Sequence, residues 1–300
     1  FDNVDVKFIT HQGGCGGIRQ DSQTLAKLLA GYVKNPNVAG ATVLSLGCQN
    51  LQIDLLKNAL NDIDPNLNKP VLIYEQQQIG TVDEMLNTII KDSFAGIKAA
   101  NAIERKPASI SKLKMGLECG GSDGFSGISA NPALGYASDI LAAVGGSPIL
   151  SEFPELCGMK SAGAAKKGGT SPIEAILDYG EYVTKPGLNL LCTPGNDVES
   201  TTGMVGSGAN IVVFTTGLGT PTGNPIAPVL KVSSNTILAE RMPDIIDIDT
   251  GAVIRGEKTI QQMGEEILEY VVQVASGEIE AKADVLGQDD FIPWKRGVSL

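Results

Sequence analysis

The chain has 300 residues, a formal net charge of −11, 42% hydrophobic and 19% charged residues. That is the balance of a globular protein, long enough for one large α/β unit or two medium domains. The negative charge argues against nucleic acid, whose phosphates want a basic face. No apolar run approaches the roughly 20 residues of a membrane helix, so no membrane partner is expected.

Val6–His11 reads as a strand, followed by a helix from Asp21 or Ser22, with Pro36 beyond its end. Runs 40–48, 69–77 and 113–121 read as further strands, and 147–153 as the next. The helices between them lie in 50–62, in 81–103 with Thr81 as cap, and in 133–146. Residues 154–172 are small, basic and loop-like. Strands are then expected in 187–195, 210–217 and 229–236, with helices in 197–209, 236–246 and 259–277. This alternation predicts an α/β fold of mostly parallel sheets with flanking helices, as two Rossmann-like lobes. They are residues 1–153, and 173–300 with the C-terminal tail, joined by the loop 154–172.

The only histidine, His11, stands just before Cys15 in a glycine-rich stretch. The five cysteines are Cys15, Cys48, Cys119, Cys157 and Cys192. An odd count without a C-x-x-C pair or a signal peptide favours reduced thiols and a cytoplasmic location. Ligands of open α/β sheets sit outside the carboxyl ends of strands. Three expected strands end there in His11–Cys15, Leu46–Asn50 and Glu118–Asp123. Cys15, Cys48 and Cys119 with His11 form a soft metal set, for a ferrous ion or an iron–sulfur cluster with one open iron. The competing reading is that the thiols are small buried hydrophobes. Asn196 or Asp197 caps a helix whose N–H groups face a carboxylate or are simply capped. The loop 215–225, with Thr216 and Thr220, holds a polyol or is a structural turn. Lys166 or Lys167 would meet a carboxylate, or else lies in a solvated loop.

The runs "ECGGSDGFSGI", "KKGGTSP", "GLNLLCTPGND", "FTTGLGTPTGNP" and "FIPWKRGVSL", with "THQGGCGG" and "LGCQNLQ" before them, resemble the altronate/galactarate dehydratase family over nearly the whole chain. The resemblance implies a cytoplasmic, iron- or other divalent-metal-dependent lyase. It would dehydrate a hexonate or hexarate to a 2-keto-3-deoxy sugar acid. A related branch eliminates sulfite from sulfolactate, and a non-catalytic sugar-acid-binding protein is the alternative from another class. Iron would sit on Cys15, Cys48 and Cys119. His11 would be ligand or base, and Asp123 would assist proton transfer or orientation. Ser122, Asn196, Asp197, Thr216 and Thr220 would hold the substrate, in a homo-oligomer.

Three departures stand out. Gln49 replaces the family's usual glutamate, and Leu218 an arginine common in the "TTGRGTP" loop. Relatives also carry a small N-terminal domain or subunit before this sequence, and further residues where Gly158 here meets Met159.

Overall fold

The computed structural model describes residues 1, 3–152 and 167–298. The expected junction at Gly158–Met159 lies outside the described residues, as do Cys157 and Lys166.

Two parallel strands, β1 (Ala41–Ser45) and β2 (Val71–Glu75), pair in register from Ala41↔Val71 to Ser45↔Glu75. Helices α1 (Arg19–Lys34), α2 (Ile53–Ile63), α3 (Gln76–Ile79) and α4 (Val82–Asn101) complete this N-terminal unit. Helix α4 begins as expected, at a Thr81–Glu84 capping box. Helix α1 does not begin at Asp21 or Ser22: it starts at Arg19 behind Ile18, without a side-chain cap. Asp21 is engaged elsewhere, accepting from the backbone N–H groups of Arg296 and Gly297, each at 3.0 Å.

The expected strand Val6–His11 is not formed. A strand needs a ladder partner, and the small sheet contains only β1 and β2. Phe8 of that run is 85% exposed.

The larger body is one parallel sheet. Its strands are β3 (Lys114–Cys119), β4 (Ser147–Leu150), β5 (Ile173–Leu177), β6 (Leu188–Leu191), β7 (Ile211–Thr216), β8 (Val229–Ser233) and β9 (Ile248–Asp249). They lie in the order β5-β6-β4-β3-β7-β8-β9. The division expected between residues 153 and 173 runs through this sheet, because β4 pairs directly with β6, Ile149 against Asn189. Strand-helix alternation reports parallel pairing but not the edge to which the next strand adds, so it does not locate a domain boundary.

Its helices are α5 (Ala130–Ala143), α6 (Asp197–Gly206), α7 (Thr236–Arg241), α8 (Gly251–Ile254), α9 (Ile260–Ser276) and α10 (Lys282–Val285). Alternate strand residues serve opposite faces, as the pleat requires. Met115, Leu117, Ile211 and Val213 join Leu134 and Leu141 of α5 and Ile267 and Val271 of α9 in one core cluster. Val212 and Phe214 join Met204 of α6 and Leu28 of α1 in another. Each fully buried aliphatic side chain contributes about 1.5–3 kcal/mol. Helix α1 thus bridges the two sheets, and it approaches α6 closely: a Cβ on Gly31 would lie 1.7 Å from the Gly206 carbonyl oxygen.

The C-terminal tail straps the two bodies together. Lys7 pairs with Asp289, and Arg296 with Asp178. The Trp294 ring meets Tyr179 edge-on, with centroids 5.5 Å apart. No helix among the described residues is long and apolar enough to cross a membrane.

Candidate active site

From β3 the chain steps outward one way through β4 and β6, while β7 adds to the other edge of β3 and leads to β8 and β9. The strand order therefore reverses beside β3, and the carboxyl ends of strands at such a point are where open α/β sheets receive ligands. Loops stitched across these ends form a rim. Gly120 N–H donates to the Thr215 carbonyl, and Gly217 and Leu218 N–H both donate to Gly121 O.

Four charged or reactive side chains gather beneath that rim. Cys119 ends β3, and Glu152 follows β4. Lys167 Nζ lies 3.0 Å from Glu152 Oε2 and 3.2 Å from Cys119 Sγ. Glu118 is fully buried, with Oε2 accepting from the Ser151 hydroxyl at 2.6 Å and from Ser200 of α6. Its Oε1 is buried and has no hydrogen-bond partner among the described residues. Burial, reinforced by the Glu152 charge, pushes the Glu118 carboxyl well above the usual range, although Lys167 opposes this.

Glu152 is the one non-glycine residue with a positive φ, +63°, among those described. Its N–H donates to Thr193 Oγ1 at 2.8 Å, and Thr193 in turn meets Ser200 Oγ at 2.9 Å. A bulky residue in this region costs about 1–3 kcal/mol, and such strain clusters at functional sites.

At the mouth, Asn196 caps α6 by accepting from Glu199 N–H at 3.1 Å, and it is exposed. Asp197 lies so close to Gly120 that a Cβ there would come within 2.6 Å of its Oδ1. Burial and the Glu152 charge raise its pKa, against the pull of Thr220 and Lys231. Lys231 is buried in β8, its pKa lowered by burial to about 8, and donates to the Thr222 and Val229 carbonyls. Thr220 and Thr222 share a hydroxyl hydrogen bond at 2.8 Å. Thr216 Oγ1 accepts from Gly219 N–H at 2.9 Å, so it shapes the loop. Ser122 and Leu218 are exposed on the rim.

Asp123, expected to assist proton transfer or orientation, is saturated. Its Oδ1 accepts from Phe125 N–H, from the N–H and hydroxyl of Ser126, and from Ser234; its Oδ2 accepts from Asn235. Burial works the other way, but these bonds hold its pKa below the ordinary value. These bonds tie Asp123 into the rim.

The cysteine loops of the N-terminal unit form a separate feature. Asn50 knits them: its N–H donates to Gly14 O, and its amide to the Cys15 and Gly17 carbonyls. Cys15 and Cys48 are exposed, whereas Cys119 is buried and its sulfur faces Lys167. His11 Nδ1 accepts from Gly13 N–H at 3.0 Å; burial, then the Lys295 charge, lowers its pKa. Among the described residues, no group of three or more His, Cys, Asp or Glu side chains is placed to hold a metal ion. The thiol set implied by the resemblance does not fit one metal in this arrangement. Gln49 closes its own loop, accepting from Gly47 N–H and donating to Ser45 Oγ and Leu51 O.

The sequence profile of the D-galactarate dehydratase/altronate hydrolase second domain matches residues 1–101. That of the D-galactarate/altronate dehydratase C-terminal domain matches 110–160 and 158–299. The chain belongs to the D-galactarate/altronate dehydratase family. The family's domain division thus falls near the gap between the two sheets. The chain is 34% identical to the altronate dehydratase of Bacillus subtilis (strain 168), over 93% of this chain and 65% of that protein. It is 32% identical to the altronate dehydratase of Escherichia coli (strain K12), over 91% of this chain and 64% of that protein. It is 30% identical to the galactarate dehydratase (L-threo-forming) of Escherichia coli (strain K12), over 84% of this chain and 59% of that protein. The chain therefore spans less than two thirds of the length of these family members.

Sequence reasoning missed Glu118 and Glu152, the carboxylates at the centre of the site. Each carried a signal: an acidic residue at or just beyond the carboxyl end of an apolar parallel strand has no reason to be there unless it is partnered.

Proposed function

We propose that this protein is a hydro-lyase acting on a sugar acid of the altronate or galactarate type to give a 2-keto-3-deoxy acid. The reaction is placed at the carboxyl ends of β4, β3 and β7. The observation that carries this reading is the buried Lys167–Glu152 pair, 3.0 Å apart, at the point where α/β sheets receive ligands.

Such a dehydration needs a base for the proton beside the carboxylate, a positive group for the developing enolate, and an acid for the departing hydroxyl. Glu152 is the base, and its strained backbone aims it. The Lys167 ammonium stabilises the enolate, since charge stabilisation is strongest where water is excluded. Asp197, its pKa raised by burial, protonates the leaving hydroxyl. Two carboxyl groups whose surroundings set them to different tasks make an acid–base pair. Thr220 and Ser122 bind substrate hydroxyls.

The test is formation of 2-keto-3-deoxy product from altronate and galactarate by the whole protein and by Glu152→Gln and Asp197→Asn. Loss of an acid or base costs about 10²–10⁴-fold in rate. Undiminished turnover by Glu152→Gln would overturn the assignment. Wild-type protein that binds sugar acids without converting them would make it a binding protein. Iron analysis after air-free purification adds an independent arm. One iron per chain, lost alike in Cys15→Ser, Cys48→Ser and Cys119→Ser, would restore the thiol ligand set.

A further inference from the structure

Cys119 and Lys167 are placed for a reaction with each other that dehydration does not require. We propose that they form a covalent modification site, in which a peroxide joins Cys119 Sγ to Lys167 Nζ as a sulfenamide cross-link. The inference rests on the reading of Lys167 above only for its effect on turnover.

Three observations carry it. Lys167 Nζ lies 3.2 Å from Cys119 Sγ, so the nitrogen already touches the sulfur. Glu152 Oε2 stands 3.0 Å from that nitrogen and 3.8 Å from the sulfur, within reach of the proton each must shed. Cys119 and Lys167 are 2% and 1% exposed, which keeps bulky thiols away, yet Gly121 and Ser122 just beyond Cys119 are exposed. An adjacent cation favours the thiolate, the form that peroxide attacks.

The step balances. The sulfur attacks peroxide, an S–O bond forms as the O–O bond breaks, and the first water leaves; sulfur has lost two electrons and peroxide has gained them. The product is a sulfenic acid, which condenses with a nitrogen nucleophile. The Lys167 amine, its proton passed to Glu152, then attacks the sulfur. The S–N bond forms, the S–O bond breaks, and the second water leaves with that proton. Thiol, amine and one peroxide become one sulfenamide and two waters. The cross-link consumes the lysine ammonium and ties the end of β3 to residue 167.

The experiment treats whole protein with hydrogen peroxide and digests it without reductant. Peptide masses are then read before and after addition of a thiol. The expected species joins the Cys119 and Lys167 peptides with a mass two hydrogens below their sum, and the thiol reverses it. In Lys167→Arg the cross-link should vanish, while the sulfenic acid on Cys119 becomes trappable by a dione reagent. Cys192→Ser should cross-link as the wild type does. Cys119 recovered only as unlinked thiol or sulfinic acid would overturn the proposal, as would the same cross-link mass in Lys167→Arg. Because the readout is mass, it stands whether or not the protein turns over sugar acids. A complete cross-link that leaves turnover untouched would support the modification site and remove Lys167 from the proposed reaction.

Discussion

Lys167 Nζ and Glu152 Oε2 form an ion pair at 3.0 Å, with side chains only 1% and 4% exposed. Removing one partner of a buried pair strands the other charge and costs about 3–5 kcal/mol, whereas replacing both by apolar groups is often neutral. Lys167→Met and Glu152→Leu should therefore each destabilise strongly, and the double variant should recover much of the loss. Urea unfolding of the four proteins measures the coupling; additive losses would contradict it.

Glu118 gives a pH dependence of defined sign. Its folded-state pKa is raised by burial and by Glu152, so between the ordinary carboxylate range and that raised value the folded protein holds a proton the unfolded chain has released. Its contribution is complete below the unfolded value and is lost as pH rises through the window. Glu118→Gln, neutral at every pH, should flatten this limb. The check is thermal unfolding of both proteins across a pH series; parallel curves would mean that Glu118 is ionised in the fold.

Asp123 should behave oppositely, because its pKa is lowered despite burial by bonds from Ser234, Ser126 and Asn235. Its stabilisation is present above the ordinary aspartate range and fades as pH falls through the lowered value. Asp123→Ala leaves several donors without an acceptor. A loss of about 2 kcal/mol is expected, near the contribution of one hydrogen bond to a charged group, together with a raised KM from a loosened rim.

Gly31 tests the junction between α1 and α6. A Cβ there would sit 1.7 Å from Gly206 O, whereas one on Gly14 would meet nothing within 4 Å. Gly31→Ala should cost about 3 kcal/mol by forcing the helices apart, and Gly14→Ala should stay within about 0.5 kcal/mol. Equal denaturation midpoints for the two would refute the close approach.

Gln49 holds its loop by bonds that only an amide can make. Its amide donates to Ser45 Oγ and Leu51 O, and a carboxylate cannot donate. Gln49→Glu should lose about 1–2 kcal/mol, and hydrogen exchange should rise in residues 45–51.

The strands of the large sheet from β3 to β8 were mostly legible, because short apolar runs such as Ile211–Thr216 are bounded by Gly and Asn. Thr81 was legible as a cap, and Asn196 as one of two candidates with Asp197, since capping chemistry is local. The edge strand β5 was not legible: Glu174 interrupts its short apolar stretch, and all five of its residues are exposed or half-exposed. Val6–His11 misled in the opposite way: β-branched and aromatic content expresses a preference that a partner strand must fulfil. In the candidate site, Cys119 was found through its glycine surroundings, but the meeting of Glu118, Glu152 and Lys167 depends on strand order. Only the β6-β4-β3-β7 neighbourhood brings their segments together.

The tail that pairs Arg296 with Asp178 and feeds the N–H groups of Arg296 and Gly297 to Asp21 has a consequence for biosynthesis. Asp21 leaves the ribosome early and its partners some 275 residues later. Helix α1 can dock on α6 while translation continues, but this clasp closes only after residue 297 has cleared the exit tunnel. Until then the nascent polypeptide holds its N-terminal unit by that helix and by Asn35 and Asn37 just past it, whose amides donate to carbonyls of residues 205–226. A chaperone acting on the growing chain would find this clasp open.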